Sequence, residues 1–170
     1  MTDLSGSFST RVVADVLDVA PGTIASWLSR GELKGAPLNL RAKAGSRGSP
    51  TGFPVTDVLA LALIKYASEH LNAPEVISNA TTAAEEWLER RPLVRRLHVL
   101  HYSEPSDTVV VRFNDEAMSR AEPAEPGAVL EVEVDLDRLF GQTLNALGAA
   151  TRRKPRAAVR ADGLRPQKPQ

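Results

Sequence analysis

The sequence contains no cysteine, which excludes disulfide bonds and zinc sites built from thiolates. It has no net charge either, because 21 acidic residues balance 21 basic ones, so the overall charge predicts no particular partner. The longest apolar run, residues 58–64, is far too short to cross a bilayer. The opening MTDLSGSFST lacks a basic segment followed by an apolar one. We therefore expect a cytoplasmic protein with no membrane partner.

Motifs for catalysis, cofactors and metals are also missing from the sequence. There is no Gly-rich phosphate loop, nucleophile elbow or acid–base pair. His98 and His101 lie three apart on a predicted strand, which directs their side chains to opposite faces. The acidic groups at 85–89 and 131–135 are typical of the solvated side of a helix and a strand. We expect no enzymatic activity, no cofactor and no metal site.

The balanced charge hides a segregation along the chain. Residues 71–150 carry 7 basic and 14 acidic side chains, whereas residues 151–170 carry 7 basic and 1 acidic. The tail also has few large apolar residues, which predicts disorder. A basic tail of this kind is either an auxiliary nucleic-acid-binding arm or a solubilising terminus, and the sequence leaves both open.

Two short helices are predicted near the N-terminus. Ser9 is a suitable N-cap for a helix at about 10–17, and Pro21 suits the first turn of a second helix at about 21–30, which Gly31 ends. Two helices that cross at a tight turn need a small residue at the crossing, a residue tolerant of left-handed backbone in the turn, and apolar residues on the second helix. Ala14 is the small residue at the crossing, Asp18 is the turn residue, and Ile24 and Trp27 are the apolar residues of the second helix.

The region after these helices predicts a hairpin followed by an apolar helix. Residues 33–55 are rich in glycine and proline, with four basic residues, no acidic one and an alternating segment at 38–41. This composition favours a two-stranded hairpin with a long tip. Thr56 or Asp57 is the predicted cap of a helix at 58–70, whose Leu59, Leu63 and Tyr66 would close over the first two helices.

The rest of the chain predicts one helix, a small sheet and a final helix. Asn72 and Glu75 resemble a capping box for a connector helix at about 74–90. Strand-like alternation follows at 97–102, 108–113 and 130–134. A helix at about 136–148 has an apolar stripe, with Asp135 and Asp137 at its positive end.

The segment FSTRVVADVLDVAPGTIASWLSRGEL resembles the opening of MerR-like and excisionase-like winged helix-turn-helix proteins. The resemblance covers roughly the first 70 residues. The chain differs from the family in two ways: it has Asp18 where glycine is usual, and its wing is longer. Aspartate enters the left-handed region more readily than most residues, so the turn remains feasible.

The resemblance at the N-terminus and the residue patterns of the remaining chain together predict an α+β protein in four parts. We expect a winged helix-turn-helix domain at 1–70, a connector helix at 71–96, a small α+β dimerisation or interaction domain at 97–150, and a disordered basic tail at 151–170.

The resemblance also implies that the second helix enters the major groove of double-stranded DNA. With Ile24, Trp27 and Leu28 in the core, its outward face is small and nearly neutral, which predicts modest base specificity and a large share of binding from the wing. The expected DNA-binding residues are Thr10, Arg11, Gly22, Thr23, Ser26, Arg30, Lys34, Arg41, Lys43 and Arg47.

The leading functional prediction is a sequence-specific transcriptional regulator of bacterial or phage type that acts by occupying an operator. Two alternatives stay open: an architectural or packaging protein of the excisionase or small-terminase type, and an antitoxin-like interaction module. A helical hairpin from an unrelated fold would give the same local pattern. One module buries little DNA interface, so we expect a homodimer that uses helix 74–90, helix 136–148 or a sheet edge. An effector-sensing role also stays open, but the sequence identifies no ligand.

Overall fold

Local capping residues set the bounds of the first two helices. The computed structural model describes residues 6–42, 52–71, 73–90, 94–102, 108–115 and 128–152. Helix α1 spans Thr10–Leu17, and the Ser9 hydroxyl accepts a hydrogen bond from the Val12 amide at 3.4 Å. Helix α2 spans Pro21–Arg30 and ends at Gly31. Both predicted helices are confirmed.

The turn between α1 and α2 depends on a left-handed residue. Asp18 has φ 52° and ψ 54°, and its amide donates to the Ala14 carbonyl, as the sequence predicts. The chain changes direction by 109° between the two helices. Ala14 is completely buried, and a residue this small permits the close approach of α1 to its neighbours.

The predicted single hairpin over 33–55 is wrong. Strand β2 (Glu32–Leu33) pairs with β3 (Ala36–Pro37) across a turn in which Lys34 and Gly35 both have positive φ, 51° and 78°, the pattern of a tight type I′ hairpin. Strand β4 (Gly52–Phe53) pairs instead with β1 (Phe8–Ser9). Residues 38–41 form no strand despite their alternation. The middle of the predicted hairpin, residues 43–51, lies outside the described residues.

Helix α3 (Val55–His70) begins before the predicted start. Pro54 occupies the N-cap position with φ −62°, so the proposed caps Thr56 and Asp57 are wrong. Proline suits a helix start because its φ is already fixed and it lacks the amide hydrogen. Leu59, Leu61 and Leu63 are all fully buried, which makes α3 a helix surrounded by protein rather than an amphipathic surface helix.

The predicted connector is not one helix but two. Helix α4 (Pro74–Ser78) and helix α5 (Ala80–Arg90) are separated at Asn79. The Asn79 amide group donates to the Glu75 carbonyl at 2.8 Å, a local hydrogen bond that competes with helix continuation. The N-cap of α4 is Ala73, which makes no side-chain hydrogen bond, and the predicted cap Asn72 lies outside the described residues.

A three-stranded antiparallel sheet and a long helix complete the described chain. Strand β5 (Val94–Tyr102) lies between β6 (Thr108–Asp115) and β7 (Ala128–Asp135). Helix α6 (Leu136–Arg152) continues past Gly148, the predicted end. Asp135 caps α6, since its carboxylate accepts from the Arg138 amide at 2.9 Å. The tail at 153–170 lies outside the described residues.

One cluster of buried side chains connects the elements. It includes Val13 of α1, Leu61 of α3, Trp87 of α5, Leu97 of β5 and Phe140 of α6. Helix α6 packs on α1, α3 and β5, so it contacts both the N-terminal helices and the sheet. The structure therefore shows a mixed helix-and-strand fold, while the division into domains stays a prediction. Among the described helices, none alone is long and apolar enough to cross a membrane.

Candidate nucleic-acid interface

Helix α2 lies at the edge of the molecule, with α1 and β2 as its main neighbours. Ile24 is completely buried, but Trp27 and Leu28 are only half-buried against the core. The prediction that all three side chains belong to the core is confirmed for Ile24, whereas Trp27 and Leu28 pack against the core and stay partly exposed. A peripheral helix presents only a narrow stripe to the core, and residues flanking that stripe keep contact with solvent.

The opposite side of α2 is open and lacks large side chains. Gly22, Ala25 and Ser29 are exposed, and Thr23 and Ser26 are half-buried. A Cβ atom at Gly22 would meet nothing within 4 Å. This face can therefore approach a flat or grooved surface closely, and its hydroxyl groups can donate or accept hydrogen bonds there.

Two exposed arginines lie on the same pair of helices, α1 and α2. Arg11, near the start of α1, and Arg30, in the last turn of α2, are both exposed. Neither makes an ion pair with any described residue. Thr10, also a predicted contact residue, is the first residue of α1 and is half-buried. The guanidinium groups are consequently available to an external anion.

Lys34, another predicted contact residue, is engaged within the protein. Its ammonium nitrogen donates to the Ser68 carbonyl at 2.5 Å, in the last turns of α3. A cation hydrogen-bonded to carbonyls near a helix C-terminus also interacts favourably with the helix dipole. Lys34 therefore connects the β2–β3 hairpin to α3, a structural role that its sequence neighbours do not indicate.

Arg41 forms an ion pair with a residue of α5. Its Nη2 lies 2.5 Å from Glu85 Oε1, and the two side chains are 63% and 36% exposed. Ion pairs with this much exposure contribute at most about 1 kcal/mol. An external phosphate can therefore compete with Glu85 for Arg41. The other two predicted cations, Lys43 and Arg47, lie outside the described residues.

Residues 39–42, which we call the strap, are held against the helices by hydrogen bonds. The completely buried carboxylate of Asp57 accepts from the backbone amides of Arg41 at 3.1 Å and Ala42 at 2.6 Å. The Thr81 hydroxyl donates to the Asn39 carbonyl at 2.7 Å, and the Asn39 amide group donates to Ser78 O at 2.9 Å. The strap thereby places Arg41 at a fixed position on the surface.

Sequence reasoning missed the role of Asp57. The available signal was an acidic residue within the otherwise apolar run VTDVLALALI, since carboxylates are rarely buried without partners. That signal indicates a buried acceptor. It does not identify the donors, which lie at 41 and 42, on a different segment of the chain.

The sheet contains a charged cluster away from α2. Glu133 Oε1 lies 2.9 Å from Arg96 Nη1, and Glu133 Oε2 lies 3.8 Å from His98 Nε2. These pairs join β5 to β7 on one face of the sheet. Within the described ranges, no three His, Asp or Glu side chains converge on a possible metal position.

Comparison with known proteins provides no further identification. No family model matches the chain, and no curated protein is significantly similar to it.

Proposed function

We propose that this protein binds double-stranded DNA through a winged helix-turn-helix formed by α1, α2 and the β2–β3 hairpin. The observation that carries the proposal is the 109° bend between α1 and α2 across the left-handed Asp18. Helix-turn-helix motifs place their helices at about 90–120°, and the second helix then enters the major groove. The open, small-residue face of α2 supports this docking.

In the proposed complex, different residues have different tasks. Thr23 and Ser26 on α2 reach base edges, where hydroxyl groups discriminate bases only weakly. Arg11 and Arg30 bind phosphates on either side of α2, and Arg41 joins them by exchanging Glu85 for phosphate. Lys43 and Arg47 are two further phosphate contacts that the sequence predicts. Because phosphate contacts dominate, affinity should fall steeply with salt.

We further propose that the protein is a cytoplasmic, non-enzymatic transcriptional regulator that acts by occupying an operator. A dimer would let two copies of α2 read neighbouring half-sites, which gives the specificity that one small recognition face lacks. The reason for proposing a homodimer is thus the size of the interface. Light scattering at micromolar concentration that gave the monomer mass would remove this part of the proposal.

The direct test is selection of bound fragments from genomic DNA, followed by salt titration of the selected fragment. Arg30→Ala should reduce the slope of log affinity against log salt by about 0.9, the value for one phosphate contact. Arg90→Ala is the matched control, because Arg90 is equally an exposed arginine at a helix end but lies on α5 and pairs with Glu86. Thr23→Ala should alter the preferred sequence more than the slope.

Absence of salt-sensitive DNA binding would refute the proposal. If the Arg30 and Arg90 variants gave equal slopes of log affinity against log salt, the DNA would have to bind a surface other than α2.

An architectural or packaging role is the second candidate, favoured by the small and neutral α2 face. A protein with few base contacts would bind many sequences with similar affinity and use DNA shape instead. Circular-permutation gel shifts distinguish the two roles, since an architectural protein bends its fragment whereas an operator-binding regulator selects one sequence.

A further inference from the structure

A cleft of about 350 Å³ lies where α1, α3 and α6 meet. It is bounded by the end of α1 and the turn residue Asp18, by one side of α3, and by one side of α6. Ligand pockets in proteins start at about 300 Å³, so the cleft has room for one small organic molecule.

The cleft has apolar walls contributed by all three helices. Leu17 comes from α1, Ala62 from α3, and Leu139 and Ala146 from α6. Leu17 and Ala62 are each 5% exposed, so the wall that they form has little contact with solvent. An apolar ligand body placed against these side chains would lose contact with water, which favours binding.

Lys65 is the innermost charged group of the cleft. Its side chain is 26% exposed, and its ammonium nitrogen lies 3.7 Å from Glu69 Oε1, a separation too long for a hydrogen bond. An ammonium group has three donors. Lys65 can therefore donate to a ligand anion without first losing a strong internal hydrogen bond.

The carboxylates of the cleft lie nearer to solvent than Lys65. Glu69 is 48% exposed in its side chain, and Asp18 is also exposed. Water screens charges at such positions, so they attract a ligand cation less than the more buried Lys65 attracts an anion. Tyr66 and Gln142 add neutral hydrogen-bonding groups to the lining.

We propose that this cleft binds a small organic carboxylate, with its apolar body against Leu17, Ala62 and Leu139 and its carboxylate on the Lys65 ammonium. This inference goes beyond DNA binding and does not depend on it. The occupant would contact the Asp18 turn, which joins the two helices of the proposed DNA-binding unit.

The test uses three probes of one size and shape: benzoate, benzamide and benzylamine. Each is titrated into the full-length protein while amide chemical shifts are followed by NMR. Benzoate should shift the lining residues of α1, α3 and α6 saturably. Its affinity should exceed that of benzamide and benzylamine by about tenfold or more, the difference expected for one hydrogen bond to a charged group.

Two variants and a control locate the site. Lys65→Met should weaken benzoate binding by about tenfold or more, because it removes the charge-assisted hydrogen bond. Ala146→Leu, which keeps Lys65 and fills the cleft, should abolish binding. Arg90→Met, a change of the same kind on α5, should leave binding unaltered.

Several results would overturn the proposal. These are equal affinities for the three probes, absence of saturable shifts with benzoate, shifts confined to another surface, and unchanged benzoate affinity in both the Lys65 and Ala146 variants.

Discussion

Replacing the buried carboxylate of Asp57 should detach the strap from α3. Asp57 is completely buried and accepts from two backbone amides, at 3.1 and 2.6 Å. Hydrogen bonds to a charged group contribute about 1.5–3 kcal/mol each. Asp57→Ala removes both acceptors and should lower the free energy of unfolding by about 3–6 kcal/mol, whereas Asp57→Asn retains one and should cost about 1.5–3 kcal/mol.

Equilibrium urea unfolding measures both losses, because the midpoint shifts with stability while the slope reports the area exposed. Domains of this size have about 5–15 kcal/mol of total stability, so the alanine variant should be severely destabilised. Asp15→Asn is the control, since Asp15 is an exposed acid on α1. Hydrogen exchange at the Arg41 and Ala42 amides should accelerate in Asp57→Asn. An alanine variant within about 1 kcal/mol of the wild type would refute the reasoning.

Three further predictions test other contacts. Asp18→Gly should stabilise the protein by up to about 1 kcal/mol in thermal unfolding, because glycine adopts the left-handed φ of 52° without Cβ strain; destabilisation would contradict this explanation of the turn. Glu85→Gln should strengthen DNA binding at low salt by releasing Arg41, and an unchanged affinity would exclude Arg41 from the interface. Trp87→Phe removes the 2.7 Å hydrogen bond from the indole to Asp137 and should cost about 1.5–3 kcal/mol in urea unfolding; a smaller loss would show that the bond contributes little.

Some errors in the sequence-based interpretation come from contacts between distant segments. The alternation at 38–41 predicts a strand, but Asp57 and Thr81 use the backbone groups of that segment and keep it out of any sheet. The Lys34 ammonium also binds a remote group, the Ser68 carbonyl, while its contact with DNA stays a prediction. In both cases the residue type does not reveal the internal hydrogen bond, because the partner lies 15 or more positions away in the sequence.

The amino-acid sequence alone was sufficient to predict helices α1 and α2 and the turn between them. Ser9, Asp18 and Gly31 act on backbone groups within four residues, so their effects can be derived from neighbouring letters. The pairing of β1 with β4, the strap on Asp57 and the cleft between α1, α3 and α6 required the folded chain. These features depend on which remote segments pack together, and helical or strand periodicity shows only that a residue is buried, not what it contacts.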